Sequence, residues 1–304
     1  MTALLIALAL GFAWSMGAHY TGATMGMPHA LGAISARRAL LLMAPLTFAG
    51  AALASHAVEK RVGSGLTHDR LSVTAQVVVI GVAFATTTAF NGARVPTSTI
   101  QILVFSVAGV ALATRAGVRW SEIGKLAIVW LSAPLAATAL GFALTRALDR
   151  IPLGAATGAA LVVVGAAASF AMGANDVANA SGALVGTGTL GPLAAGALGG
   201  AGLAVGVLVS GKPLLRRVAF EIVQVDRPMA TAAQLVQAAV VLAAVAFGFF
   251  TSMNQALVGA MAGAGLARGR HTVRVATLLA IVRGWLLGPA AALAAGYAFG
   301  LLAR

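Results

Sequence analysis

The chain has no cysteine in 304 residues, which excludes disulfides and thiolate-held metals. Acidic side chains are nearly as scarce: seven Asp and Glu stand against 20 Lys and Arg, and charged residues make up only 9%. That is too little charge to coat a water-soluble globule. No HExxH string or other His and carboxylate cluster with metal-ligand spacing is present, and a membrane aspartyl protease would need a second acid at depth. No enzymatic function is expected. The net charge of +13 comes from Lys and Arg scattered in small groups without aromatic interleaving, so no nucleic-acid partner is expected.

What remains is apolar. Hydrophobic residues make up 60% of the chain and the mean hydropathy is +0.96. Apolar segments near the roughly 20 residues that cross a bilayer as helix recur at 2–15, 39–57, 71–89, 98–113, 123–148, 154–171, 190–209, 231–250, 256–267 and 275–302. They are continuous and rich in Ala, Leu and Val rather than alternating, which predicts helices and not barrel strands. The expectation is an all-α integral protein of the cell membrane: a polytopic helical bundle surrounded by lipid, its 37 Gly allowing close helix packing and a homo-oligomer interface. The first segment lacks a basic n-region and reads as a span, not a signal peptide. Basic groups do not fall on alternate loops, which leaves orientation open.

The chain repeats itself. MGAHYTGA from Met16 aligns with MGANDVAN from Met172, 156 residues later, and PTSTIQILVFSVAG from Pro96 aligns with FTSMNQALVGAMAG from Phe250, 154 later. Trp130 with Pro134 and Trp285 with Pro289 close the two halves. Two transmembrane repeats, 1–150 and 151–304, are predicted. Five apolar segments per half is an odd number, so the second repeat enters the membrane in the opposite sense. Inverted repeats with discontinuous helices meeting near the midplane are an architecture of secondary transporters.

Of the seven acids, Asp176 alone lies inside a long apolar stretch, flanked by Asn175 and Asn179. An ionisable group at membrane depth marks a functional site. The other six, Glu59, Asp69, Glu122, Asp149, Glu221 and Asp226, sit in segments that hold Lys or Arg and are expected to be solvated. Four polar, Gly-rich interruptions, 17–32, 91–101, 173–191 and 251–255, fall two per half and are expected to converge. Thr97, Ser98 and Thr99, with Thr251, Ser252 and Asn254, would donate to a tetrahedral anion, helped by helix N-termini that begin beside them. Asp176 with amide and carbonyl oxygens suits a hard cation or a proton. Arg94, Lys212 and Arg283 are the cations nearest these strings, with snorkelling to the interface their expected role.

GANDVANA at 173–180, the Pro-x-Ser-Thr type string at 96–99 and the Trp and Pro elements resemble the inorganic phosphate transporter (PiT) family over nearly the whole chain. The resemblance implies a secondary transporter moving inorganic phosphate with a cation, sodium or proton. It places Asn175, Asp176 and Asn179 at the phosphate and coupling-ion site, a sodium ion at Asp176 being the metal it would hold. The hydroxyls of Thr97, Ser98, Thr99, Thr251 and Ser252, with Asn254, would coordinate the anion, and no other cofactor is implied. Gln101 and Gln255, matched between the repeats, join Asn175 and Asp176 as coupling-ion residues. The first repeat departs from the pattern, with His19 and Tyr20 where it has Asn and Asp, so one signature carboxylate is missing and His19 is a further titrating group for the coupling ion. The family resemblance also admits sulfate carriers. Phosphate carries a proton to share with Asp176 and sulfate does not, and a passive anion channel is the third reading.

Overall fold

The structure is a computed structural model, described for residues 1–93, 97–151, 154, 156–215, 225–269 and 272–303, the Asn91 side chain excepted. Among these residues there is no strand, only an isolated bridge between Thr67 and Val118. The first half holds α1 (Thr2–His19), α2 (Thr21–Ala30), α3 (Ala36–Ala54), α4 (His56–Lys60), α5 (Val73–Gly92), α6 (Thr99–Thr114) and α7 (Trp120–Leu148). The second holds α8 (Ala156–Asp176), α9 (Ala178–Gly186), α10 (Pro192–Ser210), α11 (Arg227–Ala246), α12 (Met253–Arg268) and α13 (Val275–Gly300). Eight helical stretches among the described residues are long and apolar enough to cross a membrane, with α1–α2 and α8–α9 each forming one of them. Ile128, Leu131 and Leu135 form an exposed stripe on α7, and Leu286 on α13 repeats Leu131. In a polytopic protein such a face meets lipid.

The halves interlock. Helix α1 packs on α10 and α3 on α8; α6 packs on α13 and α7 on α12. Each contact is thus made between halves, and each has its mate under exchange of the halves. Close approach depends on glycine at matched positions. A methyl group at Gly173 would lie 1.9 Å from the Thr47 oxygen, and one at Gly17 would lie 2.0 Å from that of Leu203. The same holds for Gly50 against Phe170 and Gly206 against Trp14. These are small-residue crossings of the kind that let membrane helices pack backbone to backbone.

The helical breaks are narrower than the sequence suggested. The first and third interruptions, read as 17–32 and 173–191, are mostly helical: α1 ends at His19 and α2 begins at Thr21, while α8 ends at Asp176 and α9 begins at Ala178. Helix needs only one residue out of register to bend, and Tyr20 and Val177 take that place with near-helical dihedrals. The second pair is non-helical backbone: 97–98, which leads into α6, and 247–252, which leads into α12. Ser98 and Ser252 cap those helices in extended conformation, accepting from the N–H of Gln101 at 3.4 Å and Gln255 at 3.3 Å. Arg94, Pro96, Glu221 and His271 lie outside the described residues.

Glu59 departs from expectation. Beside Lys60 and Arg61 it reads as a solvated loop acid, yet it is 0% exposed. Both flanking cations turn away from it: Lys60 is exposed, and Arg61 reaches Glu122 and the Gly248 oxygen. Glu122, Asp149 and Asp226 do have counter-charges, Glu122 from Arg61 and Lys125, the other two from Arg268. Asp69 is exposed.

Candidate functional site

The site is assembled from four helix ends. Asn175, in the last turn of α8, grips the backbone of Thr251: its Nδ2 donates to the Thr251 oxygen at 2.8 Å and its Oδ1 accepts from the Thr251 N–H at 3.1 Å. This two-point clamp fixes the segment before α12 against the end of α8. The same segment is held from outside by Trp130 Nε1, donating to the Phe250 oxygen at 3.2 Å. Arg61 adds a third hold, with Nε to the Gly248 oxygen at 2.6 Å and its guanidinium 4.2 Å from the Phe249 ring centre.

Asp176 is 0% exposed. One carboxylate oxygen, Oδ2, accepts from Asn175 Nδ2 at 3.2 Å, and Oδ1 has no hydrogen-bond partner among the described residues. Tyr20, from the bend between α1 and α2, lies close enough to interact with this carboxyl. Its hydroxyl shares a 2.8 Å hydrogen bond with Thr99 Oγ1 at the start of α6. The bends α1–α2 and α8–α9 and the starts of α6 and α12 therefore meet, as the four polar interruptions implied.

The same four segments carry further buried polar atoms without a hydrogen-bond partner among the described residues. They are Gln101 Oε1, Asn179 Oδ1 and Nδ2, Thr251 Oγ1 and Gln255 Oε1, with Thr97 Oγ1, which lies against Gly288 of α13. A buried polar group left unpaired costs about 1–3 kcal/mol. Five such residues with Asp176, on these helix ends, describe a place built for a polar or charged occupant. The Ser98 and Ser252 hydroxyls accept from their own helices and keep their hydrogen to donate outward. The set suits either sign of ion: hydroxyls and helix N-termini for an anion, carboxylate and amide oxygens for a hard cation.

Not every expected residue joins by direct contact. Asn254 is half-buried in the first turn of α12. His19 is half-buried and meets the Tyr20 ring edge-on at 5.1 Å between ring centres. Tyr20, the repeat mate of Asp176, touches the site where His19 was expected to act. The 156-residue offset of the repeat was the signal that points to it. Lys212 and Arg283 are exposed, consistent with interfacial roles. Two buried glutamines were missed: Gln234 Nε2 donates to the Thr24 oxygen and Gln237 Nε2 to the Met253 oxygen at 3.4 Å. Their partners are backbone atoms of other helices, which no spacing rule reveals.

The chain is similar to known proteins. The family model described as "Phosphate transporter family" matches the chain twice, over residues 16–158 and 155–296. A sulfate permease, CysP, of Bacillus subtilis is 27% identical over 96% of this chain and 85% of its own length. A probable low-affinity inorganic phosphate transporter of Mycobacterium tuberculosis is 29% identical over 98% of this chain and 77% of its own. A solved structure, "The sodium-dependent phosphate transporter", superposes with a TM-score of 0.88 over 99% of both chains at 22% identity, which establishes the common fold. With both of its halves matched by the family model and its helices laid out as in a solved member of that fold, this multi-pass membrane protein belongs to the phosphate transporter family of transporters, not enzymes.

Proposed function

We propose that the chain is a secondary active transporter that carries inorganic phosphate across the membrane in symport with a cation. Its two transmembrane repeats, 1–150 and 151–304, enclose one central site. Phosphate is bound by hydroxyls of Thr97, Ser98, Thr99, Thr251 and Ser252, with Asn175, Asn179 and Asn254 and the N-termini of α6 and α12. The coupling cation, sodium or proton, takes the free oxygen of Asp176, with Asn175, Gln101 and Gln255 supplying further oxygens and His19 and Tyr20 bordering the site. The observation that carries this reading is the convergence of four helix ends on a buried carboxylate whose neighbours keep unpaired donors and acceptors. A protonated phosphate shares its hydrogen with Asp176, and no Lys or Arg hydrogen-bonds to these side chains among the described residues.

Sulfate is the second reading, and a specific observation favours it. Tyr20 replaces the second acid of the repeat, so an anion without a proton meets one carboxylate instead of two and gains a phenolic donor. The sulfate permease relative accords with it.

The test is uptake of labelled phosphate and labelled sulfate into proteoliposomes, each under an imposed sodium gradient and an imposed proton gradient. Accumulation of phosphate beyond equilibrium, lost in Asp176→Asn, is the expected result. Accumulation of sulfate alone reassigns the substrate, and equilibration without accumulation in every condition identifies a channel.

A further inference from the structure

Glu59 is a second fully buried acid, and anion binding does not use it. It lies on α4, beyond the end of the 36–54 span, and packs against α9 and α10. Gly196 of α10 closes over it, so that a methyl there would lie 3.2 Å from Oε1. Oε1 is hydrogen-bonded to Ser181 Oγ of α9, the Ser55 hydroxyl interacts with the carboxyl, and Oε2 is buried without a hydrogen-bond partner among the described residues. A turn of π-helix, Arg61–Gly65, follows at once and lies on α9 through Gly63, Gly182 and Gly186. Such turns frequently accompany functional sites. The position has no acidic mate, since the 156-residue offset places Leu215 there.

The serines carry the chemistry. A hydroxyl has one hydrogen, and Ser181 Oγ lies within reach of two acceptors, Glu59 Oε1 and the Val177 oxygen at 2.9 Å. Ser55 Oγ donates to the Ala51 oxygen. When Ser181 gives its hydrogen to Val177, Glu59 must be the donor and so must hold a proton. When Glu59 is ionised, Ser181 rotates its hydrogen to the carboxylate, and Val177 keeps only the N–H groups of Ala180 and Ser181. Val177 is the bend between α8, which ends at Asp176, and α9, which carries Asn179. Proton occupancy of Glu59 is thereby read at the bend that shapes the central site.

We propose that Glu59 is a proton-binding site of this transporter, one whose proton, passed to and from bulk water when the α4–α9 contact opens, is coupled to anion movement. Burial pushes the Glu59 carboxyl upward from its ordinary range, which favours a bound proton. The donor set suits a proton and not a metal ion, because one carboxylate and two hydroxyls fall short of the six or more oxygens a hard cation takes. No group of three His, Cys, Asp or Glu able to hold a metal occurs among the described residues. The charged groups nearby are few. On α4 itself, His56 Nε2 faces the Ala52 oxygen and Lys60 is exposed. Arg61 of the π-helical turn is engaged with Glu122 and Gly248. Helices α9 and α10 carry no titratable residue, and α11 has only Arg227 at its start, donating to the Leu31 oxygen.

The inference rests on the anion-transport reading, and two assays in proteoliposomes separate them. Exchange of labelled phosphate and sulfate at equal concentrations inside and out tests transport alone; accumulation under an inward proton gradient tests coupling. With no membrane potential, a one-unit gradient sustains about tenfold accumulation for each coupled proton. Glu59→Gln, which keeps the shape of the protonated acid, is expected to exchange within about twofold of wild type and to lose proton-driven accumulation. Asp176→Asn is expected to lose both. Wild-type accumulation in Glu59→Gln overturns the proposal, as does a wild-type protein driven by sodium and indifferent to pH. Absence of exchange in wild type refutes the transport reading instead. Should Glu59→Gln fail to exchange, Ser181→Ala decides: a displaced pH profile of accumulation supports the proposal and an unchanged one overturns it.

Discussion

Tyr20 and Asp176 hold equivalent places in the two halves, and their chemistry differs in a way kinetics can read. Tyr20 links the bend of α1–α2 to Thr99 at 2.8 Å. Tyr20→Phe removes that bond while leaving the ring, so the apparent anion constant in uptake assays should rise about two- to tenfold, matching the roughly 0.5–1.5 kcal/mol of one hydrogen bond. Glu59 predicts a pH effect on stability. Its carboxyl, raised from 4.5 by burial, holds in the folded protein a proton that the unfolded chain releases. Its contribution is complete below about 4.5 and is lost as pH rises through the elevated folded value. Thermal unfolding of the purified protein should therefore show a stability decline over that window that Glu59→Gln flattens. Asp176 was legible from sequence because its neighbours are apolar for a whole span. Glu59 was not, because Lys60 and Arg61 stand beside it in the chain and point elsewhere in space.

At the scale of helices, the crossings of α3 with α8 and of α1 with α10 rest on glycine. Gly173→Ala would press a methyl against Thr47 at 1.9 Å, and Gly17→Ala against Leu203 at 2.0 Å. Each should cost about 1–3 kcal/mol or more and lower the melting temperature of the solubilised protein by similar amounts, because the two contacts are repeat mates. Gly81→Ala in α5, where a methyl meets nothing within 4 Å, should leave it unchanged or raised. The ten apolar segments anticipated all the long helices. Their ends shifted where motif residues such as Asn175 and Asp176 continue α8, since polar side chains do not break a helix whose backbone bonds are intact. The short α2, α4 and α9 escaped notice because none carries an apolar run of its own.

The whole molecule is a pair of interlocked halves whose broken helices and capped helix starts are brought to one place by their symmetry. That convergence was readable from the repeat, since matched interruptions in interlocking halves have to meet near the axis relating them. What the repeat could not reveal is where the halves differ: Tyr20 for an acid, Glu59 without a mate, Arg61 holding the 247–252 segment. The two hydroxyl strings match at Thr97 with Thr251 and Ser98 with Ser252, and differ where Thr99 meets Met253. The direct test of a single shared site is equilibrium binding of labelled phosphate, with sulfate in parallel, to the purified protein and to Ser98→Ala and Ser252→Ala. Convergence predicts one site per chain in wild type, weakened in both variants although the serines lie on different halves. Two independent sites, with each substitution removing one and sparing the other, would contradict it.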